Sequence, residues 1–177
     1  KKPPYYPLDA ISLKHLTLGT VFLLAISSAR RVFELQALSL NLLVWRPAEV
    51  IAHLDPSFLP KVHTQWHCTR PIAFPALAGE EDPELRKLCV RDTLRAYVNP
   101  IQPFRQPSQN QLLLCHGKKV RGQPVSKQRI SKWLQEVIND SYVLKDLPPP
   151  LRVKGHDVRK QSTSWAELAG VDPEKNL

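Results

Sequence analysis

The sequence predicts a mainly α-helical domain with a small antiparallel β-sheet, which is an α+β fold. Several segments place apolar residues at helical spacing, whereas two short apolar runs, at 50–58 and 71–77, are typical of strands joined by a polar, proline-marked connection. The chain has 177 residues, 42% of them hydrophobic, which is enough to bury one core and argues against intrinsic disorder. Residues 1–11 are predicted to form an extended, proline-rich lead-in and residues 12–177 the domain.

Two helical segments are predicted near the amino terminus. Ser12 is placed to cap the first, and its stretch VFLLAI is apolar on all sides, which indicates a helix in the middle of a core. The second segment is SSARRVFELQALSL, at 27–40. The residues expected to point inward are Leu13, Leu16, Val21, Leu24 and Ala25 in the first helix and Val32, Leu35 and Leu38 in the second.

The middle of the chain predicts the sheet and a third helix. The runs at 50–58 and 71–77 predict an antiparallel hairpin, with Lys61 near its turn. An Asp-Pro pair beginning at Asp82 predicts a helix start, because a carboxylate caps well and proline fits the first helical position. This helix is expected to run to about Val98 and to be followed by a loop. Its expected buried residues are Leu85, Leu88, Cys89, Leu94 and Tyr97.

A short buried strand, QLLLC at 111–115, and a basic turn, GKKVRGQP at 117–124, are predicted before the next helix. Ser126 is placed to cap that helix, and Val125 and Ile130 are spaced for a hydrophobic staple. The apolar stripe of the helix is Ile130, Trp133, Leu134, Val137 and Ile138, and its opposite face carries Arg129, Lys132 and Gln135.

The segment GHDVRKQSTSWAELAGV, at 155–171, predicts a last helix with an anion site at its start. The outward face holds His156, Arg159, Lys160 and Thr163, and the opposite face holds Val158, Ser162, Trp165 and Ala169. Trp165 is expected to anchor the helix to the core. The start of a helix already carries positive partial charge, so further cationic donors there are unfavourable without an anion, although Asp157 offsets part of that charge. The alternative is an ordinary surface face with an accidental HxxR spacing.

The net charge of +9, from 25 lysines and arginines against 16 acidic residues, favours polyanionic partners, with nucleic acid first and an acidic membrane surface second. No apolar run approaches the roughly 18 residues of a membrane span, and no signal peptide is evident. The basic turn is interpreted as a phosphate-contacting patch, a nuclear localisation signal or a solvated surface. Phosphate contact is predicted for Lys118, Lys119, Arg121, Lys127, Arg129, Lys132 and Lys160.

Three widely spaced cysteines do not form a disulfide framework and indicate a reducing, intracellular compartment, which for a DNA-binding protein is the nucleus. His63, His67 and Cys68 suggest a zinc site, but no second CxxC or HxxxH pair completes it. Loop residues near a hairpin turn are therefore the favoured interpretation, and no metal or cofactor is expected.

Four cationic donors spread along the chain suit one phosphate: Arg31, Lys61, His156 and Arg159. Arginine forks hold two nonbridging oxygens and stabilise a pentacoordinate transition state, while lysine can protonate a leaving alkoxide. With these residues, five stretches resemble the catalytic domain of tyrosine recombinases, most closely those of vertebrate DIRS-type retrotransposons. They are ISSARRVFELQALSL, DPSFLPKV, LCVRDTLRAYV, GQPVSKQRISKWLQEVI and VKGHDVRKQSTSWAELAGV, and they follow the family's order over nearly the whole chain.

The resemblance implies a role for each site residue. The first catalytic arginine falls on Arg31, because the RxxEL pattern fixes the register, and Glu34 would orient it. The other matches are Lys61 at the hairpin and His156 with Arg159 in the HxxR pair. The implied reaction is attack by a tyrosine hydroxyl on double-stranded DNA, which gives a 3′-phosphotyrosyl link and a free 5′-hydroxyl and is followed by rejoining, without metal or cofactor. Assembly as a tetramer on DNA is also implied.

The chain departs from the family after the HxxR pair. The family's second histidine or tryptophan and its nucleophilic tyrosine lie downstream of that pair. After the predicted helix this sequence has only GVDPEKNL, and all four tyrosines precede the pair. Because the sequence has no methionine and begins at Lys1, we expect a segment of a longer protein. The chain alone is predicted to bind DNA with strong salt dependence but not to cleave it. The alternative is a non-catalytic DNA-binding module derived from a recombinase.

Overall fold

The computed structural model describes residues 5–58, 70–77 and 81–170. Within these ranges it contains six α-helices and one three-stranded antiparallel sheet, so the predicted α+β class is confirmed. The helices are α1 (Leu13–Ser28), α2 (Val32–Gln36), α3 (Pro83–Arg86), α4 (Val90–Ile101), α5 (Lys127–Leu144) and α6 (Asp157–Leu168). The strands are β1 (Val44–Trp45), β2 (Glu49–Ala52) and β3 (Ile72–Pro75), in the order β1-β2-β3.

Helix α1 forms the centre of the core, as its apolar stretch predicts. The Ser12 hydroxyl oxygen accepts a hydrogen bond from the His15 backbone N–H (3.2 Å), which caps the helix. Leu18, Val21 and Leu24 are fully buried, and each contributes roughly 1.5–3 kcal/mol of burial free energy. Helices α4, α5 and α6 all pack against α1, so this helix determines their relative positions.

The sheet has shorter strands than predicted and one additional strand. β2 pairs antiparallel with β3, and Val50 lies opposite Phe74, with both side chains buried. β1 pairs with the other edge of β2, where Val44 lies opposite Ile51. The turn of the predicted hairpin, including Lys61, lies outside the described residues.

Residues 111–115 do not form the predicted strand, although most of their side chains are buried as expected. Their backbone bonds go to several partners instead of one neighbouring strand. The Leu112 N–H donates to the Leu38 carbonyl oxygen (2.7 Å), and the Leu114 N–H donates to the Tyr97 hydroxyl (2.9 Å). Because these polar groups are satisfied in this way, the segment is buried without a strand ladder.

The helix predicted over 27–40 is reduced to the five residues of α2. Ala29 takes a left-handed conformation (φ 49°) at the end of α1, and Arg31 is extended (ψ 152°). Leu35 and Leu38 are buried as predicted. The break places Arg31 at the N-cap of α2 instead of in the middle of a helix, which decides the direction of its side chain.

The single helix predicted after Asp82 is divided into α3 and α4. The Asp82 carboxylate caps α3 as expected. The division lies at Cys89, whose backbone is extended (ψ 106°) and precedes α4. Helix α4 then continues to the buried Ile101, into a region predicted as loop. As a result of the division, two residues predicted to be buried are exposed, Leu85 and Leu88.

Helix α5 has the cap and the apolar stripe that its sequence predicts. The Ser126 hydroxyl oxygen accepts a hydrogen bond from the Arg129 N–H (3.3 Å), and Ile130, Trp133 and Leu134 are buried. The opposite face of this 18-residue helix is charged and exposed. Among the described residues, neither α5 nor any other helix has the length and apolarity needed to cross a bilayer.

The first described residues pack on the helices. The Tyr5 hydroxyl donates a hydrogen bond to the Asp140 carboxylate on α5 (3.0 Å), and its ring lies edge-on to His15 of α1 (5.7 Å between centroids). Burial and the nearby Asp140 raise the pKa of the Tyr5 hydroxyl above its ordinary range. Tyr5 therefore ties the start of the chain to α1 and α5.

Candidate functional site

A cavity of about 540 Å³ lies where the start of α2 meets the first turns of α5 and α6. Its basic lining residues are Arg30, Arg31, Lys127, His156, Arg159 and Lys160, and no acidic residue is found among the described residues that line it. The first turns of α5 and α6 add positive partial charge from their unpaired backbone N–H groups. The charge of the cavity therefore suits an anion.

Three of the four donors predicted for a phosphate line this cavity: Arg31, His156 and Arg159. They come from opposite ends of the sequence and are brought together by α1. Helix α2 follows the carboxyl end of α1, and α6 packs along α1. The fourth donor, Lys61, lies outside the described residues.

Glu34 is placed differently from the role that the resemblance implies for it. One carboxylate oxygen pairs with the Arg30 guanidinium (3.1 Å), and the other accepts a hydrogen bond from the Arg31 backbone N–H (2.8 Å). Arg30 and Glu34 are only 8% and 14% exposed, so this ion pair is largely desolvated. Glu34 thus holds the backbone of Arg31 but pairs with the side chain of its neighbour.

The Arg31 side chain is exposed at the wall of the cavity. Its guanidinium carbon lies 5.9 Å from the centroid of the Phe33 ring. No carboxylate among the described residues pairs with the guanidinium of Arg31 or with that of Arg159. Both groups therefore keep donors available for an anion in the cavity.

The start of α6 presents His156 beside an internal carboxylate. One oxygen of Asp157 accepts a hydrogen bond from the Lys154 N–H (2.8 Å), which fixes the first turn of the helix. The other lies 3.5 Å from His156 Nε2 and 3.9 Å from Lys160 Nζ. All of these side chains are substantially exposed, so the attraction is weak and solvent-screened. Asp157 offsets part of the local positive charge, as the sequence predicts.

Helix α6 docks on α1 through Val158 and Ser162. Val158 is 4% exposed, and the Ser162 hydroxyl donates a hydrogen bond to the Ile26 carbonyl oxygen of α1. Trp165 is 55% exposed, so the prediction that it anchors the helix is wrong. Val158 and Ser162 both lie in the first half of α6, and Trp165 lies in the second half.

The basic residues predicted to contact DNA fall into two groups. Lys127 and Lys160 line the cavity. Outside it, the exposed members are Lys118, Lys119, Arg129 and Lys132. Arg121 is half-buried, its Nε donates to the His116 carbonyl oxygen (3.3 Å), and its guanidinium lies 4.7 Å from the Phe104 ring centroid.

None of the four tyrosines lines the cavity. The Tyr97 ring is fully buried near residues 112–114, and burial raises the pKa of Tyr97 to about 12. The Tyr5 hydroxyl is bonded to Asp140, and Tyr6 and Tyr142 are exposed away from the cavity.

No group of three or more metal-ligating side chains occurs in the part of the chain that the structure describes. His63, His67 and Cys68 lie outside that part. Comparison with protein-family profiles and with curated proteins found no match. The chemistry of the cavity therefore has to be inferred from its own residues.

Sequence patterns missed several residues of the cavity. The RxxEL register favours Arg31 over Arg30, and at the start of α5 the sequence predicts phosphate contact for Lys127 but not a role for Gln128 or Ser131. Gln128 and Ser131 share the cavity-facing side of α5 with Lys127 at helical spacing. That polar stripe was the available signal, but only contact with α6 makes it a wall of a site.

Proposed function

We propose that the cavity binds a phosphodiester of double-stranded DNA and that the chain is part of the catalytic domain of a tyrosine recombinase. The main support is the set of Arg31, His156 and Arg159 around one basic cavity. Their spacing in the sequence matches the RxxEL and HxxR patterns of the family. An accidental HxxR spacing on an ordinary surface face would not explain why these three donors share one cavity.

The lining residues suit the charge that develops at phosphorus. Two guanidinium groups, those of Arg31 and Arg159, can each donate two N–H bonds to nonbridging oxygens, and His156 can donate a further one. These donors stabilise a pentacoordinate phosphorane more than the ground-state diester, because negative charge on the nonbridging oxygens increases during attack. Lys127 and Lys160 add positive charge at the rim, where a duplex backbone would approach.

In the proposed reaction a tyrosine hydroxyl loses its proton to water as its oxygen attacks phosphorus, the bond to the 5′ oxygen breaks, and Lys61 gives a proton to the leaving alkoxide. The bond energy stays in the phosphotyrosyl link, so neither metal nor nucleotide is required. Because none of the four tyrosines lines the cavity, the chain alone binds the phosphate without cleaving DNA. Assembly as a tetramer on DNA and a nuclear location are part of the same proposal.

A substrate that needs neither the tyrosine nor Lys61 tests the catalytic role directly. We suggest a duplex whose 3′ end carries a p-nitrophenyl phosphodiester. Water then replaces the tyrosine at phosphorus, and p-nitrophenolate leaves without protonation, so the reaction is followed by its colour. We expect release above background, and a loss of about 100-fold or more in Arg31→Ala and Arg159→Ala.

The matched control is Arg46→Ala, which removes an exposed arginine paired with Glu49 (2.9 Å) on the sheet. We expect it to keep the wild-type rate. Equal rates in all three arginine variants would refute the catalytic role of the cavity.

A non-catalytic DNA-binding module remains the second candidate, because no tyrosine of the chain lines the cavity. It predicts DNA binding without p-nitrophenol release. Fluorescence anisotropy with a labelled duplex at several salt concentrations measures this binding. Lys127→Ala and Lys160→Ala should each reduce the slope of log K against log salt by about one, whereas Lys145→Ala, at the other end of α5, should leave it unchanged.

A further inference from the structure

The two adjacent arginines at the start of α2 are supported in different ways. Arg30 is buried, and a carboxylate oxygen of Glu34 lies 3.1 Å from its guanidinium. Arg31 is exposed, and its guanidinium carbon lies over the Phe33 ring, 5.9 Å from the ring centroid. A long exposed side chain without such a contact would sample many rotamers, and ordering it would oppose ligand binding.

The Phe33 ring is itself backed by a second aromatic ring. Phe58 stacks on it with 5.5 Å between centroids and 25° between planes. Phe58 is held in turn by a tight turn, in which its N–H donates to the Asp55 carbonyl oxygen (2.9 Å). The Asp55 carboxylate also accepts hydrogen bonds from the backbone N–H (2.8 Å) and hydroxyl (2.6 Å) of Ser57. Phe33 thus contacts both Phe58 and the Arg31 guanidinium, and we call these three groups the stack.

An aromatic ring orients an arginine without using its donors. A guanidinium attracted to a ring face keeps its N–H groups in its own plane, where they can grip two phosphate oxygens. A carboxylate partner, such as the one that Arg30 has in Glu34, would occupy those donors and cancel the charge. A neutral aromatic ring thus supports a phosphate-binding arginine without occupying its N–H groups or cancelling its charge.

We propose that Phe33 is a positioning residue of the site: backed by Phe58, it holds the Arg31 guanidinium at the cavity wall ready for a phosphate. This inference rests on the proposed function for its catalytic consequence. The stack itself is independent of that function and can be observed without any ligand.

The first experiment observes the stack in the free protein by NMR. The Arg31 Nε–Hε proton, assigned by its loss in Arg31→Lys, should show an aromatic ring-current shift that disappears in Phe33→Leu and persists in Phe33→Trp. Leucine keeps the apolar bulk of the site but has no π face, which makes Phe33→Leu the matched variant. An Arg31 signal that is the same in wild type and Phe33→Leu would overturn the proposal, whatever the cavity binds.

The second experiment measures the catalytic consequence with the p-nitrophenyl DNA substrate. We expect Phe33→Leu to lower the rate by about two- to fivefold in the wild-type background, and to have no further effect in the Arg31→Ala background. Phe33→Trp should keep the wild-type rate. Thermal unfolding of each variant by circular dichroism shows whether the fold is intact, and Phe58→Leu offers a second way to weaken the stack if Phe33→Leu unfolds.

The outcomes separate the two proposals. If Arg31→Ala leaves the rate unchanged, the proposed function fails, and the NMR result alone decides the positioning role. If Arg31→Ala lowers the rate to a residual that can still be measured but Phe33→Leu costs the same factor in both backgrounds, Phe33 acts independently of Arg31, for example by contact with a base, and only the positioning role fails.

Discussion

Gly155 lies so close to Ser131 of α5 that a β-carbon on Gly155 would be 2.5 Å from the Ser131 hydroxyl oxygen and 3.0 Å from its α-carbon. This approach brings His156 to the wall of the cavity. Gly155→Ala should therefore push the start of α6 away from α5. We expect a loss of about 1–3 kcal/mol in the free energy of unfolding, from overpacking, and weaker binding of a DNA duplex. Urea unfolding and fluorescence anisotropy measure the two effects.

The control for Gly155→Ala is Gly117→Ala, because a β-carbon on Gly117 would meet only the Val120 side chain, at an ordinary 3.5 Å. It should leave both stability and DNA binding close to the wild type. Adding Ser131→Ala to Gly155→Ala removes the closest atom and should restore part of both losses. Wild-type DNA affinity in Gly155→Ala alone would mean that the close approach does not shape the site.

The basic turn depends on Gly122 more strictly than its composition suggests. Gly122 has φ +80°, and a β-carbon there would lie 1.8 Å from the Phe104 carbonyl oxygen. Backbone cannot move aside as a flexible side chain can, and the conformation itself is unfavourable for other residues. We expect Gly122→Ala to lower the free energy of unfolding by more than about 3 kcal/mol, measured by urea unfolding.

Gly19 is the control, because it lies inside α1 and has room for a β-carbon. The nearest atom, in the Tyr5 ring, would lie 3.4 Å away. Gly19→Ala should raise the stability by up to about 1 kcal/mol through its better helix propensity. A Gly122→Ala protein as stable as Gly19→Ala would show that the turn relaxes easily.

His116 should make the stability of the protein depend on pH. Its ring lies 5.1 Å from the Trp133 ring, and burial lowers the pKa of His116 below its ordinary value. The nearby Glu136 carboxylate opposes this shift, and the cations of Lys14, Arg129 and Arg121 add to it. The folded state then binds fewer protons than the unfolded state. The stabilisation is complete above pH of about 6.5 and is lost as the pH falls toward the lower, folded-state pKa.

His116→Phe keeps a ring against Trp133 but cannot titrate. We expect the free energy of unfolding to decline less between about pH 7 and pH 5 in this variant than in the wild type. Urea unfolding at a series of pH values gives both curves. Parallel curves would show that His116 does not carry the pH dependence.

Two apolar residues of α6 should contribute unequally to stability. Val158 is 4% exposed, whereas Trp165 is 55% exposed. Val158→Ala is expected to lower the free energy of unfolding by about 1–3 kcal/mol, because it leaves a cavity against α1. Trp165→Ala, although it removes more atoms, should cost less than about 1 kcal/mol, since most of its surface stays in water. If urea unfolding gave a larger loss in the free energy of unfolding for Trp165→Ala than for Val158→Ala, Trp165 would be the anchor of α6.

The helix caps and most of the buried faces could be predicted from local patterns. Ser12 and Ser126 cap their helices as expected, because capping joins residues within one helical turn. The break at Ala29 could not be predicted in this way, since no glycine or proline marks it. A left-handed alanine is locally unfavourable, so tertiary packing of α2 against α1 and α5 has to stabilise it.

The apolar face of α6 also shows what a local pattern cannot predict. Helical spacing puts Val158 and Trp165 on one side, but Val158 is buried and Trp165 is exposed. Likewise, the RxxEL pattern associates Glu34 with an arginine, but the turn at Ala29 decides that Arg30 receives the carboxylate. A sequence pattern gives the spacing of residues along the chain. It does not show which other part of the protein packs against them.

The sequence by itself determined the α+β class, the capped helices, the basic charge and the donors expected to hold a phosphate, because each depends on residue type and on neighbours along the chain. Only the tertiary structure decided that Arg31, His156 and Arg159 share one cavity, that Phe33 and not Glu34 lies at the Arg31 guanidinium, and that Val158 anchors α6. The physical reason is that the cavity and the docking of α6 join residues far apart in the chain, whose distances follow from the packing of α2, α5 and α6 around α1. The surroundings of the Arg31 side chain follow from the turn at Ala29, which the same packing stabilises.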